Sequence, residues 1–325
     1  MTSRILRFLI QFTIGIAILL WLLSLADLNK VFSILTTVNI LNLVLASAFF
    51  IVASTFVALS LYISLKPFNS TISMNKTILA SFAGQLLSDI TPARSGYFAT
   101  PLILNKLCNL SIGEGITGVF ITGITNSIIK VVFAVLGILY FIRFLPIHPS
   151  LINSIIISVI ILIIGSIILL ILTLEKSTLK IISIFERFPF IRRIVFKTSE
   201  LISQIQYEIK KTKRVIHHVT LLMLLSLIAN ATALYIIYNT LWLGDITLID
   251  FIFIAAIVST LMYLPITISG LGVQETGYII LLTLFGTPLE IALIFSLIVR
   301  LLFTGTDIIG VPTLIKLWYI LKETQ

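Results

Sequence analysis

The sequence has 325 residues, of which 58% are hydrophobic and only 11% charged, and its mean hydropathy is +1.17. Soluble domains are typically about half apolar and about a quarter charged, so this composition excludes an ordinary soluble protein. It predicts an all-α protein that crosses the membrane several times. The net charge of +9 is concentrated in residues 175–214. A basic loop between spans indicates the cytoplasmic side of a membrane rather than a nucleic-acid partner.

Cysteine and histidine are too scarce to indicate a metal site. The single cysteine, Cys108, excludes an intrachain disulfide and a cysteine-based metal site. The three histidines do not have the spacing of metal ligands. We therefore expect neither a metal nor another cofactor.

Hydropathy predicts six to eight transmembrane helices. The clear spans are at residues 8–25, 40–65, 116–141, 151–174, 219–243 and 249–264. Two further apolar pieces follow at residues 289–304 and 308–320, as one span or two.

The charges around the first span predict its orientation. Arg4 and Arg7 precede it and few basic residues follow it, which places the amino terminus in the cytoplasm. It lacks a small-residue cleavage site, so we expect it to be retained rather than removed as a signal peptide. The chain is thus predicted to be one multi-pass domain of the cell membrane. Its parts are a first half over residues 1–174, the basic cytoplasmic loop over 175–214 and a second half over 215–325.

A first irregular stretch lies near residues 78–104. Two half-length apolar pieces flank a polar turn that contains Asp89, Pro92, Arg94 and Gly96. About twenty apolar residues are needed to cross the hydrocarbon core, and neither piece is that long. The pattern predicts a re-entrant helical hairpin. A single distorted span is the alternative, because transmembrane helices tolerate proline.

A second irregular stretch lies near residues 262–285. It contains Pro265, Gly270, Gly272 and the acidic residue Glu275 within an apolar region. Broken backbone persists at membrane depth only where protein covers it or a cavity hydrates it. An ionisable residue in such a place is a functional-site hypothesis. The plain alternative is a kinked helix with a small-residue packing face.

The two breaks fall one in each half of the chain, which is typical of a transporter's binding site and compatible with an inverted repeat. Half-helix ends would bring backbone N–H groups to such a site. Arg94 and Arg300 would add positive charge suited to a phosphate. We expect Asp89 and Glu275 to neutralise these arginines when no substrate is bound, because an isolated charge in the membrane is costly.

Two more charged residues lie inside apolar segments. Asp307 follows Arg300 by seven residues, which puts both on one face of a continuous helix. Lys130 lies within the span at 116–141, and its long stem is able either to snorkel to the membrane surface or to reach a cavity. The candidate substrate-binding residues are Asp89, Pro92, Arg94, Gly96, Pro265, Gly270, Gly272, Glu275 and Arg300.

Residues 265–275, PITISGLGVQE, resemble the P-x-x-x-G-G-L-G-x-x-E signature of flippase-like membrane proteins. These are the relatives of the transmembrane region of lysylphosphatidylglycerol synthase. Residues 92–96, PARSG, resemble the family's earlier P-x-R-x-G-E motif, and Arg300 falls where the family tends to carry a late arginine. The resemblance extends over residues 6–322 in the order and spacing of spans. It implies movement of an aminoacylated phospholipid or a polyprenyl-linked sugar lipid between leaflets.

The sequence departs from this pattern at several positions. Ser269 replaces the first glycine of the G-G-L-G run, and Tyr97 replaces the acid after P-x-R-x-G. Residues 122–126, TGITN, lack the Glu-Arg and the following Asp that the family favours there. These changes weaken any transfer of substrate or coupling mechanism from other members. No region up to Gln325 corresponds to the aminoacyl-transferring domain of the synthase, so we expect no lipid synthesis.

Taken together, these features predict a lipid flippase, not an enzyme, that moves an anionic phospholipid or a polyprenyl-linked glycan lipid between leaflets. One alternative is a non-transporting membrane scaffold that docks a partner on its basic loop. A less favoured alternative is an intramembrane enzyme acting on a lipid phosphate, for which the sequence offers no nucleophile constellation or Asp-rich metal motif. Membrane lipids are the expected partners. A homodimer is compatible with the small-residue spacing, which ordinary packing also uses.

Overall fold

A computed structural model describes residues 2–68, 71–91, 94–144, 212, 214–262 and 267–323. Its α-helices, numbered along these ranges, are α1 (Thr2–Ser24), α2 (Leu28–Thr37), α3 (Ile40–Leu65), α4 (Met74–Asp89), α5 (Thr100–Cys108), α6 (Ile112–Phe144), α7 (Ile216–Leu241), α8 (Leu248–Leu261), α9 (Val273–Leu284), α10 (Leu289–Asp307) and α11 (Val311–Glu323). Short 3₁₀ turns at Ser95–Ala99 and Ile308–Gly310 precede α5 and α11. The predicted all-α membrane fold is confirmed.

Four helical stretches in the described ranges are long and apolar enough to cross a membrane: Ile40–Leu65, Ile112–Ile142, Ile216–Leu241 and Leu289–Ile320. A fifth arises if α1 and α2, which are bent by 91° at their junction, count as one broken span. The two final apolar pieces therefore combine into one stretch, with the 3₁₀ turn inside it. The predicted span at 151–174 and nearly all of the basic loop at 175–214 lie outside the described residues.

One predicted span is shorter than expected. The apolar stretch at 249–264 forms α8, which ends at Leu261 after 14 residues. The last turn of α8 is closed by the Met262 N–H, which bonds the Val258 carbonyl at 3.2 Å. The chain then enters the second break, and α9 that follows is also too short to cross alone.

Local sequence determines where several helices begin. Asp27 and Asn39 cap α2 and α3 by accepting backbone N–H groups two residues further on. Thr247 and Asp250 form a reciprocal capping box at the start of α8. Pro101 lies in the first turn of α5, where its missing N–H has no helical partner to lose. These caps fix the loops that separate the spans.

The chain from α4 to α5 folds back on itself as a helical hairpin. Side chains at Gly84 and Gly96 would collide with Thr100 and with the Leu87 carbonyl, respectively. Such contacts between the two arms do not occur in a single distorted span. The chain therefore folds back here as a hairpin, and glycine at these positions permits the close approach. Its re-entrant course in the membrane stays a prediction.

The largest core joins the helices on both sides of the second break. Tyr238 of α7 packs on Phe251 of α8 with ring centroids 5.3 Å apart. Phe295 of α10 contacts Phe251 at 5.8 Å and Tyr278 of α9 at 5.4 Å. Aromatic pairs of this kind add roughly 0.5–1.5 kcal/mol each beyond their burial. This cluster holds α7, α8, α9 and α10 in fixed positions around the break.

Candidate functional site

One arginine closes the second break. Arg300 of α10 donates from Nη1 to the Ser269 carbonyl at 3.2 Å and from Nη2 to the Gly270 carbonyl at 3.0 Å. Its guanidinium also pairs with both carboxylate oxygens of Glu275, with Nη2 lying 3.1 Å from Oε2. The same Oε2 accepts the Gly272 N–H at 2.7 Å. The planar fork of donors thus joins the broken backbone into one hydrogen-bonded unit.

The backbone of this break adopts conformations that favour glycine. The φ angles of Ser269, Gly270 and Gly272 are 48°, 68° and 81°. A left-handed conformation costs a residue with a Cβ roughly 1–2 kcal/mol. Gly272 is further constrained because a Cβ there would lie 2.7 Å from the side chain of Ile18 in α1. Two of the three positions therefore have the residue that the geometry requires, and Ser269 does not.

A second, partly buried arginine organises the first break. Arg94 donates from Nη2 to Asp89 Oδ1 at 2.9 Å and from Nε to Ser88 Oγ at 3.3 Å. The Gly96 N–H donates to Thr91 Oγ1 at 2.6 Å. Arg94 itself has a φ of 56°. Its ion pair with Asp89 therefore holds a strained residue at the tip of the hairpin.

The two breaks are in direct contact. The Ser269 N–H donates to the Thr91 carbonyl at 3.2 Å. Helix α10 contacts both breaks along one stripe, since Arg300 closes the second break and the Phe303 ring lies 5.1 Å from the guanidinium carbon of Arg94. Asp307, one turn further on, lies beside Asp89. The prediction that Arg300 and Asp307 share a helix face is confirmed, and that face joins the breaks.

The expected charge pairing is also confirmed. Arg94 pairs with Asp89, and Arg300 pairs with Glu275. The side chains of Asp89 and Glu275 are 5% and 0% exposed, so bulk water does not solvate either carboxylate. A buried charge without its partner is strongly destabilising, which is why each acid needs its arginine in this position.

The amino terminus of α9 is already occupied by the chain itself. Glu275 accepts the Gly272 N–H, and the Gly270 carbonyl accepts the Gln274 N–H at 2.9 Å. A free helix amino terminus attracts an anion. Here the Glu275 carboxylate takes that position. The second break therefore does not present the open N–H groups that were expected to bind a substrate.

A cavity of about 390 Å³ lies beside the first break, between α3, α4, α6, α7, α8, α9 and α10. Its apolar lining includes Phe50, Met223 and Phe303. Its neutral polar lining residues are Ser54, Gln85, Ser88, Thr122, Asn126, Ser127, Ser226, Asn230, Ser259 and Gln274, together with Tyr97 and Tyr278. The cavity is therefore amphipathic and rich in uncharged hydrogen-bonding groups.

The charged lining of the cavity is basic. Arg94 of the first break and Lys130 of α6 both line it. Asp89 and Glu275 pair with their arginines and do not line the cavity. No other acidic residue of the described ranges lines it either. The prediction that Lys130 reaches a cavity is confirmed. The described part of the chain also contains no cluster of three His, Cys, Asp or Glu residues that would hold a metal ion.

Of the nine predicted binding residues, Arg94 lines the cavity. Six others, Asp89, Gly96, Gly270, Gly272, Glu275 and Arg300, shape the two breaks around it, and their part in binding stays a prediction. Pro92 and Pro265 lie outside the described residues.

Sequence reasoning missed most of the uncharged polar lining. Asn126 and Ser127 of α6 and Asn230 of α7 lie inside long apolar spans. Polar side chains within a transmembrane helix usually face the bundle interior, so these residues carried a usable signal. Gln85 lies in the hairpin, and only its packing against the other helices reveals that it faces the cavity.

The sequence-family model for the lysylphosphatidylglycerol synthase transmembrane region matches residues 8–308 of the chain. The chain therefore belongs to this family of membrane proteins, as the motif at residues 265–275 predicted. No curated protein matches it.

Proposed function

We propose that this member of the lysylphosphatidylglycerol synthase transmembrane-region family moves a lipid between leaflets by taking its anionic headgroup into the central cavity. The observation that carries the proposal is an amphipathic cavity with two basic residues in its lining, Arg94 and Lys130, inside a bundle of apolar helices. An anionic headgroup would use the basic and neutral hydrogen-bonding groups of this lining, whereas an acyl chain would leave them unpaired.

The size of the cavity supports a headgroup as the ligand. Its volume of about 390 Å³ falls in the range of roughly 300–1,000 Å³ that small-molecule sites occupy. A phosphate with a glycerol or sugar substituent fits that volume, whereas two acyl chains do not. The lipid tails are then expected to stay in the bilayer while the headgroup crosses.

The charge of the cavity supports an anionic lipid. Two basic side chains and no described acid line it, and charge-assisted hydrogen bonds from Arg and Lys are the strong contacts that phosphates make in proteins. Asn126, Ser127 and Asn230 add neutral donors and acceptors for hydroxyl groups. Both an anionic phospholipid and a polyprenyl-linked glycan lipid present this combination of phosphate and hydroxyls.

The test is leaflet scrambling of fluorescent lipids in vesicles that contain purified protein. We expect accelerated movement of anionic lipids, and a slowing of roughly ten- to a hundredfold in Lys130→Gln, because one hydrogen bond from a charged group contributes about 1.5–3 kcal/mol. The matched control is Lys316→Gln, which removes one exposed lysine of α11 away from the cavity. Equal rates in the two variants, or no movement of any anionic or polyprenyl-linked lipid, would count against the proposal.

The same preparation distinguishes the two other readings. A scaffold that docks a partner on the basic loop predicts that replacing residues 175–214 abolishes function while Lys130→Gln stays active. An enzyme that acts on a lipid phosphate predicts chemical turnover of labelled lipid by the purified protein without transport. The scaffold alternative does not explain why the cavity lining is basic.

A further inference from the structure

The carboxylate of Asp307 is buried without a hydrogen-bond donor. Asp307 ends α10 and is 0% exposed, and neither of its carboxylate oxygens has a partner among the described residues. Asp89 Oδ2 is equally without a partner, although Asp89 Oδ1 bonds Arg94. The two acids lie next to each other. Both carboxylate oxygens of Asp307 and Oδ2 of Asp89 are therefore buried acceptors without a hydrogen-bond donor.

The fold imposes this arrangement. Gly310, three residues after Asp307, packs so closely on α4 that a Cβ would lie 2.5 Å from the Ala83 backbone nitrogen. This contact presses the end of α10 onto the helix that ends in Asp89. This contact therefore holds the backbone near Asp307 close to the helix that carries Asp89.

The local charges do not balance. The charged groups that act on Asp307 are Asp89 and Arg94. Two ionised carboxylates against one guanidinium leave one uncompensated negative charge inside a membrane protein, which is very costly. Native structures rarely leave buried polar atoms without a partner, and each exception calls for a missing donor or ligand.

We propose that Asp89 and Asp307 form a proton-binding site in which the two carboxylates share one proton. A proton on Asp307 turns one of its oxygens into an O–H donor, and Asp89 Oδ2 is the adjacent free acceptor. The bound proton also brings the charge of the Asp89, Asp307 and Arg94 group to zero. Paired carboxylates elsewhere share a proton for the same reason, since two like charges in contact cannot both ionise.

The site connects to the cavity through Arg94, which pairs with Asp89 and also lines the cavity. A proton on the carboxylate pair raises the positive potential at Arg94 and so favours an anion in the cavity. By linkage, anion binding favours the proton equally. This coupling rests on the proposed function. The proton site itself does not.

The experiment is infrared spectroscopy of purified protein at near-neutral pH, read at the carbonyl stretch of a protonated carboxylic acid. We expect this band in the wild type and its loss in Asp307→Asn, whose amide keeps the shape and still donates to Asp89. Asp245→Asn is the matched control, because it removes one exposed carboxylate and should keep the band. A folded Asp307→Asn protein with an unchanged spectrum overturns the proposal.

Two further arms decide between related outcomes. Carboxylate oxygens also suit hard cations, so titration with Na⁺ is the competing probe. A Na⁺-dependent rise in thermal stability that Asp307→Asn abolishes, with no protonated-acid band, overturns the proton site and assigns a cation. In vesicles, we expect scrambling to accelerate as pH falls from alkaline to neutral in the wild type and to be independent of pH over this range in Asp307→Asn. If the wild type moves no lipid, the proposed function fails while the infrared band still decides the proton site.

Discussion

The backbone N–H of Ser269 donates to the carbonyl oxygen of Thr91 over 3.2 Å, which joins two chain breaks that are 178 residues apart in the sequence. A hydrogen bond between two irregular segments ties any movement of one break to the other. Helix α10 adds a second tie, because Arg300 holds the second break and Phe303 packs on Arg94 of the first. The two breaks therefore behave as one structural unit beside the cavity.

Ser269 offers a direct test of the backbone geometry at this contact. Its φ of 48° is left-handed, a conformation that is strained for a residue with a Cβ. We expect Ser269→Gly to stabilise the protein by about 1 kcal/mol, since the strain of the left-handed residue is relieved. Thermal unfolding in detergent measures the change.

The control for this substitution is Gly270→Ala, which introduces a Cβ at a φ of 68° and 3.1 Å from the side chain of Met262. It should destabilise by about 1–2 kcal/mol, the cost of a left-handed residue. If Ser269→Gly and Gly270→Ala shift the unfolding temperature in the same direction, the backbone geometry assigned to the break is wrong.

The ion pair between Arg300 and Glu275 gives a second prediction. Arg300→Ala leaves a fully buried carboxylate unpaired and the carbonyls of Ser269 and Gly270 without their donors. We expect a loss of roughly 3–5 kcal/mol. Arg300→Lys should recover only part of it, because an ammonium cannot reproduce the planar fork.

A double-mutant cycle checks that the loss comes from the pair. Arg300→Ala with Glu275→Ala removes both charges, so its unfolding free energy should fall by less than the sum of the single changes. Additive losses would mean that the two residues act independently and that the arginine serves only the carbonyls.

The sequence predicted the parts of this site that depend on composition and spacing. Pro and Gly within apolar stretches located both breaks, and the cost of isolated charge predicted that Asp89 and Glu275 neutralise the two arginines. Which acid pairs with which arginine came from the structure. The family motif at residues 265–275 was also readable directly.

The parts that depend on packing were not predictable in the same way. Which face of α6 points inward is decided by its neighbours, so Gly123, which has no polar side chain to mark it, could not be assigned to the cavity from the sequence. Asp307 was noted for its place on the helix, but its contact with Asp89 requires the approach of α4 to Gly310. The occupation of the α9 amino terminus by Glu275 likewise depends on how the break folds.

Gly310 provides a third prediction, on the packing that brings the two acids together. A Cβ at Gly310 would meet the backbone of α4 at Ala83, which a side-chain rotation cannot relieve. We expect Gly310→Ala to destabilise by about 1–3 kcal/mol, the usual cost of overpacking. Gly305→Ala is the matched control in α10, because its added methyl group meets nothing within 4 Å and should be neutral or slightly stabilising. Thermal unfolding of both variants decides the matter, and equal stability would contradict the close approach.

Gly123 gives the sharpest test of the cavity. It lines the cavity from α6, and an added Cβ would meet nothing within 4 Å, so the space in front of it is open. We expect Gly123→Leu to fold with nearly unchanged thermal stability, since its side chain enters empty volume rather than packed protein. The same side chain occupies room that a headgroup needs, so lipid scrambling should fall at least tenfold.

The matched control for Gly123→Leu is Gly305→Leu, which makes the same chemical change at an exposed helical glycine with equally open surroundings. Scrambling by this control should equal that of the wild type. If Gly123→Leu transports normally while remaining folded, the headgroup does not pass through this cavity. The basic lining formed by Arg94 and Lys130 would then need another explanation.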